Sequence, residues 1–126
     1  MARERQIILD TETTGLYADR GDRMLEFAGI EMKKRQLTMN NLHLYIHPDR
    51  DIPEEAAAVH GITLEQLEER NAPKFEQVGR QIADFLRGAE LIIHNARFDV
   101  GFLNMEFARM GLPSIKELDC EITDTL

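Results

Sequence analysis

Apolar and polar positions alternate near the start of the chain and repeat at helical spacing further on. Ile7-Ile8-Leu9 is a short run of branched residues that ends in Asp10, the pattern of a buried strand, and Thr13-Thr14-Gly15 follows as a turn. Met24 to Met32 predicts a second strand, with Lys33-Lys34-Arg35-Gln36 as a polar hairpin tip. Leu42, Leu44 and Ile46 alternate with His43, Tyr45 and His47, which predicts a half-buried third strand with both histidines outward. Pro53 to Val59 is helix-favouring and stops at Gly61, and Thr63 to Glu69 predicts a short helix with Thr63 as N-cap. Phe75, Val78, Ile82, Phe85 and Leu86 recur at helical spacing between Pro73 and Gly88. Leu91-Ile92-Ile93 predicts another buried strand. Asp99 opens a helix with Leu103, Phe107 and Met110 on one side and Gly111 at its end, and Glu117 to Ile122 predicts a last strand. Met39, Met105 and Met110 suit packing positions. The order predicts an α/β sheet, an antiparallel three-strand meander feeding parallel strands with flanking helices.

Length and composition narrow the class. The chain has 126 residues, 43% hydrophobic and 30% charged, which suits one globular domain with its own core. No apolar run reaches the ~18 residues of a membrane span, and the N-terminus does not look like a signal peptide. The single Cys120 excludes an internal disulfide and suits a reducing compartment, so a cytoplasmic location is expected. A net charge of −8 argues against a protein that coats long nucleic acids. It still allows an enzyme that grips a strand end through cations held by its carboxylates.

Asp10 and Glu12 are two residues apart at a strand end, so alternation points both carboxylates to the same face. Facing carboxylates repel unless a cation lies between them. An all-oxygen set suits magnesium or manganese, and no Cys/His cluster has zinc spacing. A solvated acidic pair at a strand end is the commoner origin of such a pattern. Asp99 follows a buried strand and a polar turn at a helix start, which suits a metal ligand and equally a helix-capping aspartate.

The order of three segments goes beyond this. Asp10-Thr11-Glu12-Thr13-Thr14-Gly15, Val59-His60-Gly61-Ile62-Thr63 and His94-Asn95-Ala96-Arg97-Phe98-Asp99-Val100-Gly101-Phe102-Leu103 together resemble the DnaQ-like (DEDDh) 3′–5′ exonucleases. Arg23 to Glu31 and Asp124-Thr125-Leu126 also fall where that pattern has them. Asn40 to Arg50 and Arg87 to Asn95 are similar to the epsilon (proofreading) branch that serves bacterial DNA polymerase III. The resemblance implies a ribonuclease H-like exonuclease fold and hydrolysis of phosphodiesters at DNA 3′ ends, releasing nucleoside monophosphates. It implies two divalent ions, Mg2+ or Mn2+, roughly 3.5–4 Å apart, with Asp10, Glu12 and Asp99 as catalytic metal ligands. Thr13, Thr14, Gly15, Glu55, His60 and Phe98, beside Asp10 and Glu12, would hold the terminal nucleotide. From the residues alone, His60 also suits a polar turn cap and Phe98 a core position. The implied partners are a single-stranded or frayed 3′ end, the polymerase III catalytic subunit and a small theta-like accessory subunit, with no membrane.

The family pattern has a third motif, a histidine followed five residues later by an aspartate, and no histidine follows His94 here. Residues 1–126 are therefore expected to be an incomplete exonuclease domain, a fragment lacking its general base, its fourth carboxylate and its C-terminal helices. General-base loss alone lowers rates by about 10²–10⁴-fold. Uncovered apolar sheet surface is expected to leave the chain marginally stable and prone to aggregate. The alternatives are an RNase T- or oligoribonuclease-like RNA 3′ trimming enzyme and a non-catalytic module that binds nucleic acid or a polymerase.

Overall fold

The computed structural model describes residues 3–126. Strands β1 (Arg5–Thr13), β2 (Met24–Lys33), β3 (Gln36–Leu37) and β4 (Leu42–Tyr45) are followed by helices α1 (Glu54–His60), α2 (Leu64–Glu69) and α3 (Phe75–Leu86). Strand β5 (Glu90–Ile93), helix α4 (Ala96–Arg109) and strand β6 (Glu121–Asp124) complete the chain. The sheet order is β3-β2-β1-β5-β6, with β4 also on β2. β2 pairs antiparallel with β1, β3 and β4, whereas β5 runs parallel to β1 and β6 parallel to β5. The predicted meander and crossover are thus present, and the meander gains the two-residue β3 beside the hairpin tip.

Alternation along β1 decides what lies on each face. Ile7, Leu9, Thr11 and Thr13 are buried, while Ile8 and Asp10 between them are exposed. Ile7, Leu9, Phe27, Leu91 and Ile93 form the sheet side of the core, against Phe75, Val78, Ile82 and Leu86 of α3 and Phe102, Leu103 and Phe107 of α4. On the other face the cross-strand partners Ile8 and Ile30 remain 42% and 41% exposed, an apolar surface of the expected kind. A second small core joins Leu25, Ile62 and Leu67. Its origin is a β-bulge: Glu12 pairs with Glu26 and Thr13 with Met24, so Leu25 is left over.

Several boundaries differ from those the sequence predicts. β1 does not end at Asp10 but continues to Thr13, because Thr11 and Thr13 bury their short polar side chains on the core side. α4 starts three residues before Asp99, at Ala96, because its first amides find an acceptor on β6. The last strand begins at Glu121, since Ile115 and Leu118 turn into the core and Asp119 takes a left-handed φ of 60°. Met39 is 80% exposed rather than packed, at a turn where its φ is 69°. His47 is only partly exposed, its backbone tied to Pro73.

Gly79 lets α3 and α4 approach. A Cβ there would collide with the Met110 sulfur and lie 2.7 Å from the Phe75 ring. Helix propensity alone would have alanine stabilise this position by ~1 kcal/mol. Overpacking should win, and Gly79→Ala is expected to cost about 1–3 kcal/mol in urea denaturation. A variant more stable than the parent would contradict this packing.

Candidate metal and strand-end site

The end of β1 next to the bulge gathers most of the chemistry-bearing side chains. Asp10 is exposed and Glu12 half-buried on the same face, and the buried Thr11 between them faces α4. Asp99, in the first turn of α4, is 4% exposed. The Thr11 hydroxyl donates a hydrogen bond to Asp99 Oδ1. Burial pushes the Asp99 carboxyl up to about 6, the Thr11 bond opposes that rise, and the Asp10 charge adds to it. Glu12 is likewise raised, first by burial, then by Asp10 and to a smaller extent by Glu26, while His60 lowers it. Among the described residues, Asp10, Glu12 and Asp99 make no ion pair with Lys, Arg or His.

A cavity of about 580 Å³ opens beside these carboxylates. Its wall includes Glu12, Thr13, Thr14, Gly15, Glu55, His60 and Phe98, so one hollow brings together every expected nucleotide contact except Asp10. Asp10 and Asp99 lie outside the wall. Phe98 packs on Phe102 with ring centroids 4.9 Å apart and also borders a neighbouring hollow lined by Arg97 and Tyr17. His60 Nδ1 accepts from the Ile62 amide at 3.0 Å, which leaves the ring proton on Nε2. That Nε2 is buried and has no hydrogen-bond partner among the described residues, an unpaired donor on a side chain that lines the cavity.

Asp22, absent from the expected site, shapes the loop after β1. Its carboxylate accepts from the Thr14 hydroxyl at 2.8 Å, the Tyr17 amide at 3.0 Å and Arg50 Nη1 at 3.0 Å. A Cβ on Gly15 would lie 2.7 Å from Asp22 Cγ, so only glycine lets the carboxylate approach there. No spacing rule links Asp22 to Thr14; the sole sequence signal was its place just after Gly21 in a turn.

The three carboxylates are a hard, anionic oxygen set with uncompensated charge, and this fits a divalent ion of the magnesium or manganese kind. They are not drawn up as a finished cage. Among the described residues no three His, Cys, Asp or Glu side chains stand close enough together to hold one ion. Asp99 Oδ1 accepts from the Thr11 hydroxyl, which leaves Oδ2 as the oxygen available to an ion.

The raised Asp99 has a signed consequence for the metal-free chain. Its folded value, about 6, lies above the ordinary 3.8, so the folded state binds the extra proton. Stability from this group is full below about pH 4 and is lost as pH rises through about 6. Asp99→Asn should therefore gain about 2 kcal/mol over the parent at pH 7.5 and match it at pH 3.5. Thermal melts in EDTA check this, and a variant less stable than the parent at pH 7.5 would contradict it.

Residues 7–126 match the family model described as exonuclease, RNase T type. DNA polymerase III subunit epsilon of Pasteurella multocida is 46% identical over 126 residues, covering 97% of this chain and 49% of that protein. The Escherichia coli K12 subunit is 43% identical over 128 residues, covering 97% and 51%. The chain spans about half the length of the curated relatives it matches. Among solved structures, product-bound exonuclease I superposes with a TM-score of 0.85 at 21% identity, covering 98% of this chain and 30% of that one. Escherichia coli exonuclease I in complex with a dT13 oligonucleotide gives 0.82 at 20% identity, covering 97% and 28%. The sheet and its helices therefore have the ribonuclease H-like fold of exonuclease I. Among the described residues no helix is long and apolar enough to cross a membrane.

Proposed function

The chain belongs to the RNase T-type exonuclease family, and from that premise we propose that it forms the strand-end site of a metal-dependent 3′–5′ proofreading exonuclease. The observation that carries this most is electrostatic. Three carboxylates on β1 and α4 have no cationic partner among the described residues, and Asp10 raises both of the others. Asp10, Glu12 and Asp99 would hold two Mg2+ or Mn2+ ions. When bound, such ions supply Lewis acidity to the scissile phosphodiester and lower the pKa of water.

The chain's own side chains then divide the remaining work. The Thr13–Gly15 loop, held by Asp22, presents its backbone to the terminal nucleotide. His60 Nε2–H donates to an acceptor oxygen of that nucleotide, and Phe98 offers a ring face to its base or sugar. Glu55 lines the same cavity and is a further contact. These residues orient the strand end and exclude water from it, which is how fixed groups lower the barrier. The epsilon relatives suggest the partners: the catalytic subunit of a replicative polymerase and a small theta-like subunit.

The test is a 5′-labelled single-stranded oligonucleotide incubated with the chain and Mn2+, beside an RNA of the same sequence. A ladder shortened slowly, one nucleotide at a time from the 3′ end, stronger on DNA and abolished by EDTA, is the expected result. Cleavage confined to RNA would favour a trimming enzyme. Metal-independent retention of the oligonucleotide with no shortening would mean a binding module.

A further inference from the structure

We propose that Asp124 is a positioning residue for Asp99, fixing the first turn of α4 from the neighbouring strand; this rests on the metal-site reading above. α4 begins without a local cap. Its N-cap, Asn95, sits in the left-handed region at φ 64° and ψ 56°, and its side chain makes no capping hydrogen bond. Helix starts need acceptors for their first amides. Here the acceptor comes from β6. Asp124 Oδ1 accepts from the Asn95 amide at 3.0 Å and Oδ2 from the Ala96 amide at 3.1 Å. The same carboxylate also accepts from the Leu126 amide at 2.9 Å.

Asp124 is itself held against the strand that leads into α4. It pairs with Ile93 in the parallel β5–β6 ladder. The next residue donates its amide to the Ile93 carbonyl at 3.0 Å, and its hydroxyl lies 3.1 Å from His94 Nδ1. Asp124 thus ties β5, β6 and α4 at one point, with its backbone paired to β5 and its carboxylate on the start of α4. Asp99 is the fourth residue of α4, one turn from the two capped amides. Its side chain must reach toward Asp10 and Glu12 from a helix start that has no cap of its own. A shift of that first turn moves Asp99 relative to β1.

The test compares Asp124→Ala and Asp124→Asn with the parent chain, reading Mn2+ affinity by electron paramagnetic resonance and amide hydrogen exchange at Asn95 and Ala96 without metal. Loss of an outer partner of a metal ligand lowers affinity by about 10–100-fold. The alanine variant should bind Mn2+ about tenfold more weakly, with faster exchange at both amides. Asparagine keeps one acceptor oxygen and should lose about threefold. A purely structural role would lower the thermal midpoint and leave affinity unchanged in the folded fraction. A parent that binds Mn2+ and an alanine variant within about twofold of it overturns this inference alone. A parent that binds no Mn2+ overturns the metal reading beneath it. Should the alanine variant not fold, the asparagine variant decides: parent-like affinity and exchange overturn the proposal.

Discussion

Alanine at Asp10 and Glu12 together should weaken Mn2+ binding at least about 100-fold, beyond the loss of any single outer partner. The oligonucleotide should then no longer be shortened. The fold should survive. Asp10 is exposed and Glu12 half-buried, neither holds an ion pair among the described residues, and both lie on the face away from the main core. Removing two carboxylates that repel each other and Asp99 should leave the metal-free thermal midpoint equal or higher. Calorimetric titration and a melt of the same sample check both halves. A variant that binds Mn2+ like the parent would dissociate this pair from the metal. A variant that melts far lower would mean that the pair holds the fold instead.

The second large effect concerns Glu106. Its carboxylate is almost wholly buried on α4 and accepts from Arg23 Nε at 3.1 and 3.0 Å, from Arg23 Nη2 at 2.9 Å and from the Met24 amide at 3.1 Å. One acidic side chain thereby joins the start of β2 to the helix that carries Asp99. Breaking a buried pair from one side costs about 3–5 kcal/mol, because the remaining charge stays behind without a partner. Arg23 keeps some access to water, with its side chain 25% exposed, so the lower end applies. Glu106→Ala should lose about 3 kcal/mol in urea denaturation, with the thermal midpoint falling accordingly. A loss below about 1 kcal/mol, the value of an exposed pair, would contradict this role.

Much of this was legible in the sequence, for physical reasons that differ by element. The periods of β2, α3 and β5 follow directly from which positions are apolar, α1 follows from its helix-favouring residues and the glycine that stops it, and Thr63 caps α2 as its residue type predicts. The paired direction of Asp10 and Glu12 follows from alternation alone. Other features depend on partners distant in sequence. Glu106 is a polar residue on a helix until Arg23 meets it across the fold, and Asp124 belongs to α4 only because β6 runs beside β5. The start of α4 was misplaced for that reason: Ala96 and Arg97 become helical because a distant carboxylate accepts the first amides. The bulge that sets Leu25 aside also carries no local signal, and Met39 looks like core by type while its turn leaves it in solvent. The cavity wall was readable only through the resemblance, since Glu55 and His60 on α1 and Phe98 on α4 have no spacing that connects them to each other's element or to the loop after β1.

Anomalous diffraction from crystals of the chain soaked in Mn2+ tests the central claim most directly. Manganese peaks are expected between Asp10, Glu12 and Asp99, with a free oxygen of the Asp99 carboxylate on the metal. Manganese absent from these three carboxylates, or bound only elsewhere, would contradict that reading.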